Sequence, residues 1–261
     1  MQPLGVIGPL SRDVIAGAPP RIGGGPWHAS RALRVLGHDA IVVAKCGATD
    51  RRNFQRQLGA LGLPPSLAAD GETTAFSFVY DERGVRTMRV DAVGEAFRRE
   101  DAAEALLKPV EWLHVAPLLR GDFDDDLLEW LARGRHLLLD GQGLVRQRRV
   151  GPLVLDADFD RSLLRHVAML KLAAEEAEAI GDLRSLGVPE IIVTEGAAGS
   201  KVITRDGVER VPAGVVAGDP TGAGDAFAVA YLGARAQGHA PGSAARRATA
   251  LVAAVIAEGS R

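Results

Sequence analysis

Cysteine occurs once in the 261 residues, at Cys46. A single thiol excludes an intramolecular disulfide and any multi-cysteine metal site. It stands in a strand-like run, IVVAKCG, where a lone Cys reads as a small core residue. No apolar run reaches the ~20 residues that a membrane-spanning helix needs. The segment MQPLGVIGPLSRD lacks a basic stretch followed by a long apolar one, so no secretory signal and a cytoplasmic location are expected. Charge of one sign is not in excess: 31 Lys and Arg face 33 Asp and Glu, for a net −2. That balance gives no electrostatic reason for nucleic acid or an anionic membrane as partner. The six His residues lack metal-site spacing. There is no G-x-S-x-G elbow, no complete Walker A loop and no dinucleotide fingerprint around Gly5, Gly8, Gly23 or Gly25.

What is present is an apolar content of 47%, enough for a well-buried α/β domain over residues 1–261. Strand-like runs (LGVIG, AIVVAKCG, EWLHVA, HLLLD, HVAMLKL, EIIVTEG) alternate with helix-like ones. The helix after Gly25 stops at Gly37, and two Ala-rich helices close the chain. This rhythm predicts a three-layer, doubly wound, mostly parallel sheet with helices on both faces. One stretch differs. TTAFSFVYDERGVRTMRVD alternates apolar and polar residues around Asp81-Glu82-Arg83-Gly84, a β-hairpin pattern and a candidate flap over a site.

The strongest local signal is Asp219-Pro220-Thr221-Gly222-Ala223-Gly224-Asp225-Ala226-Phe227. Glycines opening a long helix can present backbone N–H groups to an anion, aided by the helix dipole. Asp225 falls in the first turn, where a carboxylate can take the proton of an attacking hydroxyl. A capped helix start with an ordinary turn is the plain alternative. A second signal is Gly23-Gly24-Gly25, since Gly lets backbone approach a ligand closely. Asp13, ten residues before Gly23, follows the first strand, at the end of the sheet where open α/β folds bind ligands. Thr194-Glu195-Gly196-Ala197-Ala198-Gly199-Ser200 joins a strand to a second hairpin, KVITRDGVERVPA.

Together these residues resemble the ribokinase-like (PfkB) carbohydrate kinase family, from Gly5 to about Ala257. The DPTGAGDAF string looks like that family's D-T-x-G-A-G-D signature. The resemblance implies Asp225 as catalytic base and the Gly222, Ala223 and Gly224 amides as an anion hole. It implies substrate contacts at Asp13, Gly23, Gly24 and His28, the last replacing a usual Asn. It implies nucleotide contacts at Thr194, Gly196 and Gly199, with Lys171 opening a K-x-N-x-x-E-like segment in which Glu176 acts on Mg²⁺ through water. Ala173 replaces the Asn of that segment, and Pro220 a usual Thr. A short lid, residues 14–22 with 73–91, and the string LDGQGLVR ending at Arg146 resemble the inositol-kinase-like branch. The implied function is ATP- and Mg²⁺-dependent phosphorylation of a sugar or polyol hydroxyl, with Arg146 facing substrate or phosphate. Two alternatives stay open. One is a nucleoside or hydroxymethyl-pyrimidine kinase, with Trp27, Phe76 and Phe78 to stack a base. The other is a weakly catalytic relative that senses a metabolite. A short lid that leaves a sheet edge open also makes a homodimer an expectation.

Overall fold

Strands buried on both faces read as continuous apolar runs, and the first is of this kind: β1 (Leu4–Pro9), LGVIGP, is buried throughout. The structure, a computed structural model, describes residues 2–15, 18–63, 65–80, 86–214 and 221–259. The turn expected at Asp81–Gly84, part of the 14–22 lid segment, and Asp219 and Pro220 lie outside the described residues. After β1 come β2 (Ser11–Ile15), β3 (Arg21–Gly23), α1 (Gly25–Leu36), β4 (Ala40–Cys46), α2 (Arg51–Gly59) and β5 (Ser66–Ala69). The middle of the chain forms β6 (Thr74–Tyr80), β7 (Arg86–Ala92), α3 (Glu104–Leu107), β8 (Trp112–Val115), α4 (Asp125–Ala132), β9 (His136–Asp140), α5 (Gln142–Val145) and β10 (Gly151–Pro152). The last part forms β11 (Met169–Ala173), α6 (Ala174–Ile180), β12 (Glu190–Thr194), β13 (Ser200–Thr204), β14 (Gly207–Val211), α7 (Ala223–Ala236) and α8 (Pro241–Gly259).

Nine strands make the central sheet in the order β14-β13-β12-β11-β9-β8-β1-β4-β5. All pairings from β12 to β5 are parallel, and the β13–β14 hairpin adds antiparallel strands at one edge. The chain winds one way from β1 through β4 and the other way through β8, so the order reverses between β1 and β8. Such a switch point is where open α/β sheets bind ligands, at the carboxyl ends of the strands. One face packs Leu113, Val115, Leu137 and Leu139 against Leu127, Leu131 and Ala177 of α4 and α6. The other packs Val6, Leu138, Met169 and Ile192 against α1, α7 and α8 through Leu33, Phe227 and Ala245. This is the three-layer, ribokinase-like α/β architecture that the sequence predicts. Among the described residues no helix is long and apolar enough to cross a membrane.

A second sheet, β10-β7-β6-β2-β3, lies apart from the first. The predicted hairpin is its β6–β7 pair, antiparallel with a register shift at Ala75/Phe76. Phe76, Phe78 and Val90 pack on Leu118 and Leu119, which follow β8. Asp13 lies inside β2, where Ser11 and Asp13 are buried and Arg12 between them is not. The short segment between Asp13 and Gly23 carries strands of this sheet. These strands are short and rich in polar residues, so their period-2 signal is weak.

Far from the switch point, at the opposite end of β12, Glu190 is buried with two partners. The Tyr231 hydroxyl donates to its Oε1, and Arg235 Nε lies 3.2 Å from both carboxylate oxygens. Tyr231→Phe leaves the ion pair intact and removes one buried hydrogen bond. Urea unfolding should show a loss of about 1–2 kcal/mol. Ligand binding at the carboxyl ends of the strands should stay unchanged.

Candidate active site

Side chains alternate along a strand, so residues two apart share a face. On the α7 face of the sheet, Trp112, Leu138 and Met169 are followed two residues later by His114, Asp140 and Lys171. All three are buried, at 0%, 1% and 6% exposure. They form a polar row across β8, β9 and β11, at the carboxyl ends and beneath the start of α7. Lys171 Nζ lies 3.2 and 3.4 Å from the two Asp140 oxygens. Burial alone would lower the Lys171 pKa, but Asp140, Glu176 and Asp225 outweigh it and hold the ammonium above the usual lysine value.

Asp225 sits above this row in the first turn of α7. Its Oδ1 is buried and has no hydrogen-bond partner among the described residues. Burial raises its pKa, and the neighbouring Asp140 charge raises it further, to about 6. His114, Lys171 and Arg146 pull the other way. Gly222 caps the helix with φ +81, a left-handed conformation suited to Gly. The first amides of α7 have no partner within the helix and face the same space. A Cβ on Gly222 would stand 2.2 Å from His28 Nδ1, so the ring of His28 lies directly against this turn. A Cβ on Gly25 would stand 2.3 Å from Ala116 Cβ and 3.0 Å from Asp225 Oδ1. Gly222 thus leaves room for the His28 ring of α1, and Gly25 for Ala116 and the Asp225 carboxylate of α7.

Around Asp225 opens a cleft of about 210 Å³. Ser11, Asp13, Gly24 and His28 line it, together with Phe76, Phe78 and Met88 of the second sheet. Gly222, Gly224, Lys171, Arg146, Glu175 and Glu176 line it as well. Asp13 accepts a 2.7 Å hydrogen bond from Ser11 Oγ. Gln142 and Arg146 are four apart across α5 and so reach one side. Gln142 is steadied by Pro117 O at 2.6 Å, and Arg146 pairs with Glu176 at 3.3 Å. The second Glu176 oxygen accepts from the Ala173 amide at 2.9 Å. Arg146 Nε has no partner among the described residues.

The sequence-derived residues thus fall into two groups. Asp225, Gly222, Gly224, Asp13, Gly24, His28, Arg146, Lys171 and Glu176 line the cleft. Ala223 starts α7 beside it, and Gly23 backs the Asp13 carboxylate. Thr194, Gly196 and Gly199 do not line it. Thr194 pairs in register with Ala173, and its hydroxyl donates to Leu172 O at 3.2 Å. Gly196 and Gly199 hold the next turn with φ +57 and +105. That loop is one strand over, beside Glu175 and Glu176. Lys171 lies in the cleft beside Gly224, and the Thr194 loop does not line that cleft. Trp27 packs on the α2 side, against the cluster of Phe54 and Leu58, and leaves Phe76 and Phe78 as the cleft's aromatics. Sequence reasoning gave no role to His114, Asp140, Gln142, Glu175 or Ser11. A usable signal existed for the first two: a polar residue at the last inward position of an otherwise apolar strand.

A doubly wound sheet with a glycine-capped helix, and at its switch point a carboxylate oxygen without a hydrogen-bond partner among the described residues, defines a ribokinase-like fold with a polar cleft. The chain matches the pfkB family carbohydrate kinase description over residues 20–260, and it belongs to that family. It is 32% identical over 203 residues to an inositol 3-kinase of Zea mays, covering 73% of this chain and 52% of that protein. The chain thus spans about half the length of that curated relative. A pyrophosphate-dependent kinase in the ribokinase family, solved with a pyrophosphate analog and myo-inositol, superposes with a TM-score of 0.82 at 25% identity, covering 97% of this chain and 94% of that one. The ribokinase of Thermotoga maritima shares the fold, with a TM-score of 0.74 at 17% identity, covering 100% and 94%.

Lys171→Met would leave Asp140 buried without its cation. Breaking such a pair costs about 3–5 kcal/mol, which urea unfolding at neutral pH should register. The same change removes a positive charge that favours ionised Asp225, so the Asp225 carboxyl should titrate above its value of about 6.

Proposed function

We propose that this protein transfers a phosphoryl group to a hydroxyl of a small polyol of the inositol type, with Asp225 as general base. The observation that carries the reading is the Asp225 carboxylate in the first turn of α7, its buried Oδ1 without a hydrogen-bond partner among the described residues, in a cleft that Asp13 and Lys171 also line. A cleft of about 210 Å³ is smaller than the ~300 Å³ of a drug-sized ligand site. It suits one polyol ring with a phosphoryl group.

In this reading the polyol lies against Asp13 and His28, under Phe76 and Phe78. Asp13 accepts hydrogen bonds from its hydroxyls, and the two aromatic rings cover its apolar edges. Asp225 takes the proton of one hydroxyl as that oxygen forms its bond to phosphorus. The bond from phosphorus to the donor's bridging oxygen breaks, and its electron pair leaves with the donor. The Gly222, Ala223 and Gly224 amides and Lys171 stabilise the charge on the moving group. Glu175 and Glu176 fit a role in holding Mg²⁺ through water, since both carboxylates border the cleft beside the anion-binding turn. When bound, the ion neutralises phosphate charge. The second sheet acts as a lid that shields the cleft from water.

For the donor we favour ATP, whose nucleoside would lie outside the cleft along the Thr194–Gly199 loop. Inorganic pyrophosphate is a second reading. It is supported by the similarity to a pyrophosphate-dependent kinase and by a cleft with room for phosphates but not for a nucleoside.

The test is a turnover assay with ATP or pyrophosphate as donor, against inositols, sugars and nucleosides. Turnover with a polyol is expected, and Asp225→Asn should lower kcat by about 10³-fold. A base must be ionised to act. With Asp225 raised to about 6, kcat/KM should be full above neutrality and fall about tenfold per pH unit well below that value. Near-full activity in Asp225→Asn contradicts the assignment.

A further inference from the structure

His114 has no part in the transfer just described, yet it lies under the base. It is 0% exposed, and neither ring nitrogen has a hydrogen-bond partner among the described residues. An imidazole always carries at least one N–H, and leaving one buried and unpaired forfeits its solvation. Its register neighbours on either side, Val6 of β1 and Leu138 of β9, are apolar and incur no such cost. The ring projects toward α7, because Leu113 and Val115 belong to the opposite core. The charged groups that face it are Asp140 from β9, Lys171 from β11 and Asp225 from α7.

His114 Nε2 stands 4.0 Å from Asp140 Oδ2, too far for a direct hydrogen bond. A ring nitrogen of His114, an oxygen of Asp140 and an oxygen of Asp225 lie within 4.8 Å of one another. Three atoms so spaced can share one central water, about 2.8 Å from each. A divalent cation suits the place less well, since the Lys171 ammonium already stands 3.2 Å from Asp140. Asp225 Oδ1 is the other unpartnered atom here.

We propose that His114 is a positioning residue for the base: through one water shared with Asp140, its N–H is directed at the Asp225 carboxylate, keeping it ionised and aimed at the acceptor. This rests on the reading of Asp225 as the base. Burial and Asp140 both favour the protonated form of Asp225, and a donor beneath it opposes them. Burial pushes His114 itself down to about 4, so its ring stays neutral near pH 7 and serves as a donor, not a second base.

The experiment titrates Asp225 directly, by carbon-13 NMR of protein labelled at its aspartate carboxyls, with Asp225→Asn to assign the signal. In His114→Leu, matched to neighbouring Leu138, the Asp225 midpoint should rise by about one pH unit, a tenfold gain in proton affinity. His114→Gln keeps an N–H donor and should return the midpoint toward that of the unsubstituted protein. Where the Leu variant does not fold, His114→Phe takes its place. The acid limb of kcat/KM should move in parallel. An unmoved midpoint in a folded variant overturns the inference, whether or not turnover is seen. So does a uniform drop in kcat with the acid limb in place. Absence of turnover with every donor and acceptor would instead overturn the kinase reading, and the NMR midpoint would still decide the role of His114.

Discussion

The Lys171–Asp140 pair lies under the first turn of α7, with Nζ 3.2 Å from Oδ2 and both side chains less than a tenth exposed. Around it the fold brings together two more carboxylates, Asp225 and Glu176, where water is scarce. Buried like charges drive one another toward protonation unless a cation stands among them. Lys171 is that cation for Asp140, and Arg146 is its counterpart for Glu176. Asp225 has no dedicated partner among the described residues, and burial and Asp140 raise it to about 6 against the pull of His114, Lys171 and Arg146.

Backbone geometry makes that balance usable. The Gly25 and Gly222 turns let the Asp225 side chain sit against one and the His28 ring against the other. A Cβ at Gly222 would collide with His28, and one at Gly25 with Ala116. The small sheet then places Asp13 across the cleft, with Ser11 fixing its carboxylate. Asp13, Asp225 and the Gly222 turn thus meet at the reversal of strand order between β1 and β8. Long-range winding of the chain, not any local motif, determines this meeting place.

The alternation of apolar strands with helices was enough to read the layers, because parallel strands and amphipathic helices leave strong periodic traces. The hairpin of β6 and β7 was legible for the same reason. β2, β3, β5 and β10 were not: each has five residues or fewer, and Asp13 within β2 looked like a loop acid. The glycine turn before Asp225 could be read locally, since a helix start with two glycines is a self-contained device. The floor could not. His114, Asp140 and Lys171 are far apart in sequence, and only the parallel register brings them side by side. The Thr194 loop, read as a nucleotide contact, lies one strand over from the cleft that Asp225 lines.

The kinase reading requires that Asp225 and the Gly222–Gly224 turn enclose the reacting atoms, and a crystal structure with myo-inositol and a non-hydrolysable pyrophosphate or ATP analogue decides it. An inositol hydroxyl is expected within hydrogen-bond distance of the Asp225 carboxylate, with the ring against Asp13 and the terminal phosphate on the α7 amides beside Lys171. Inositol or phosphate bound elsewhere, with Asp225 touching neither, would contradict it.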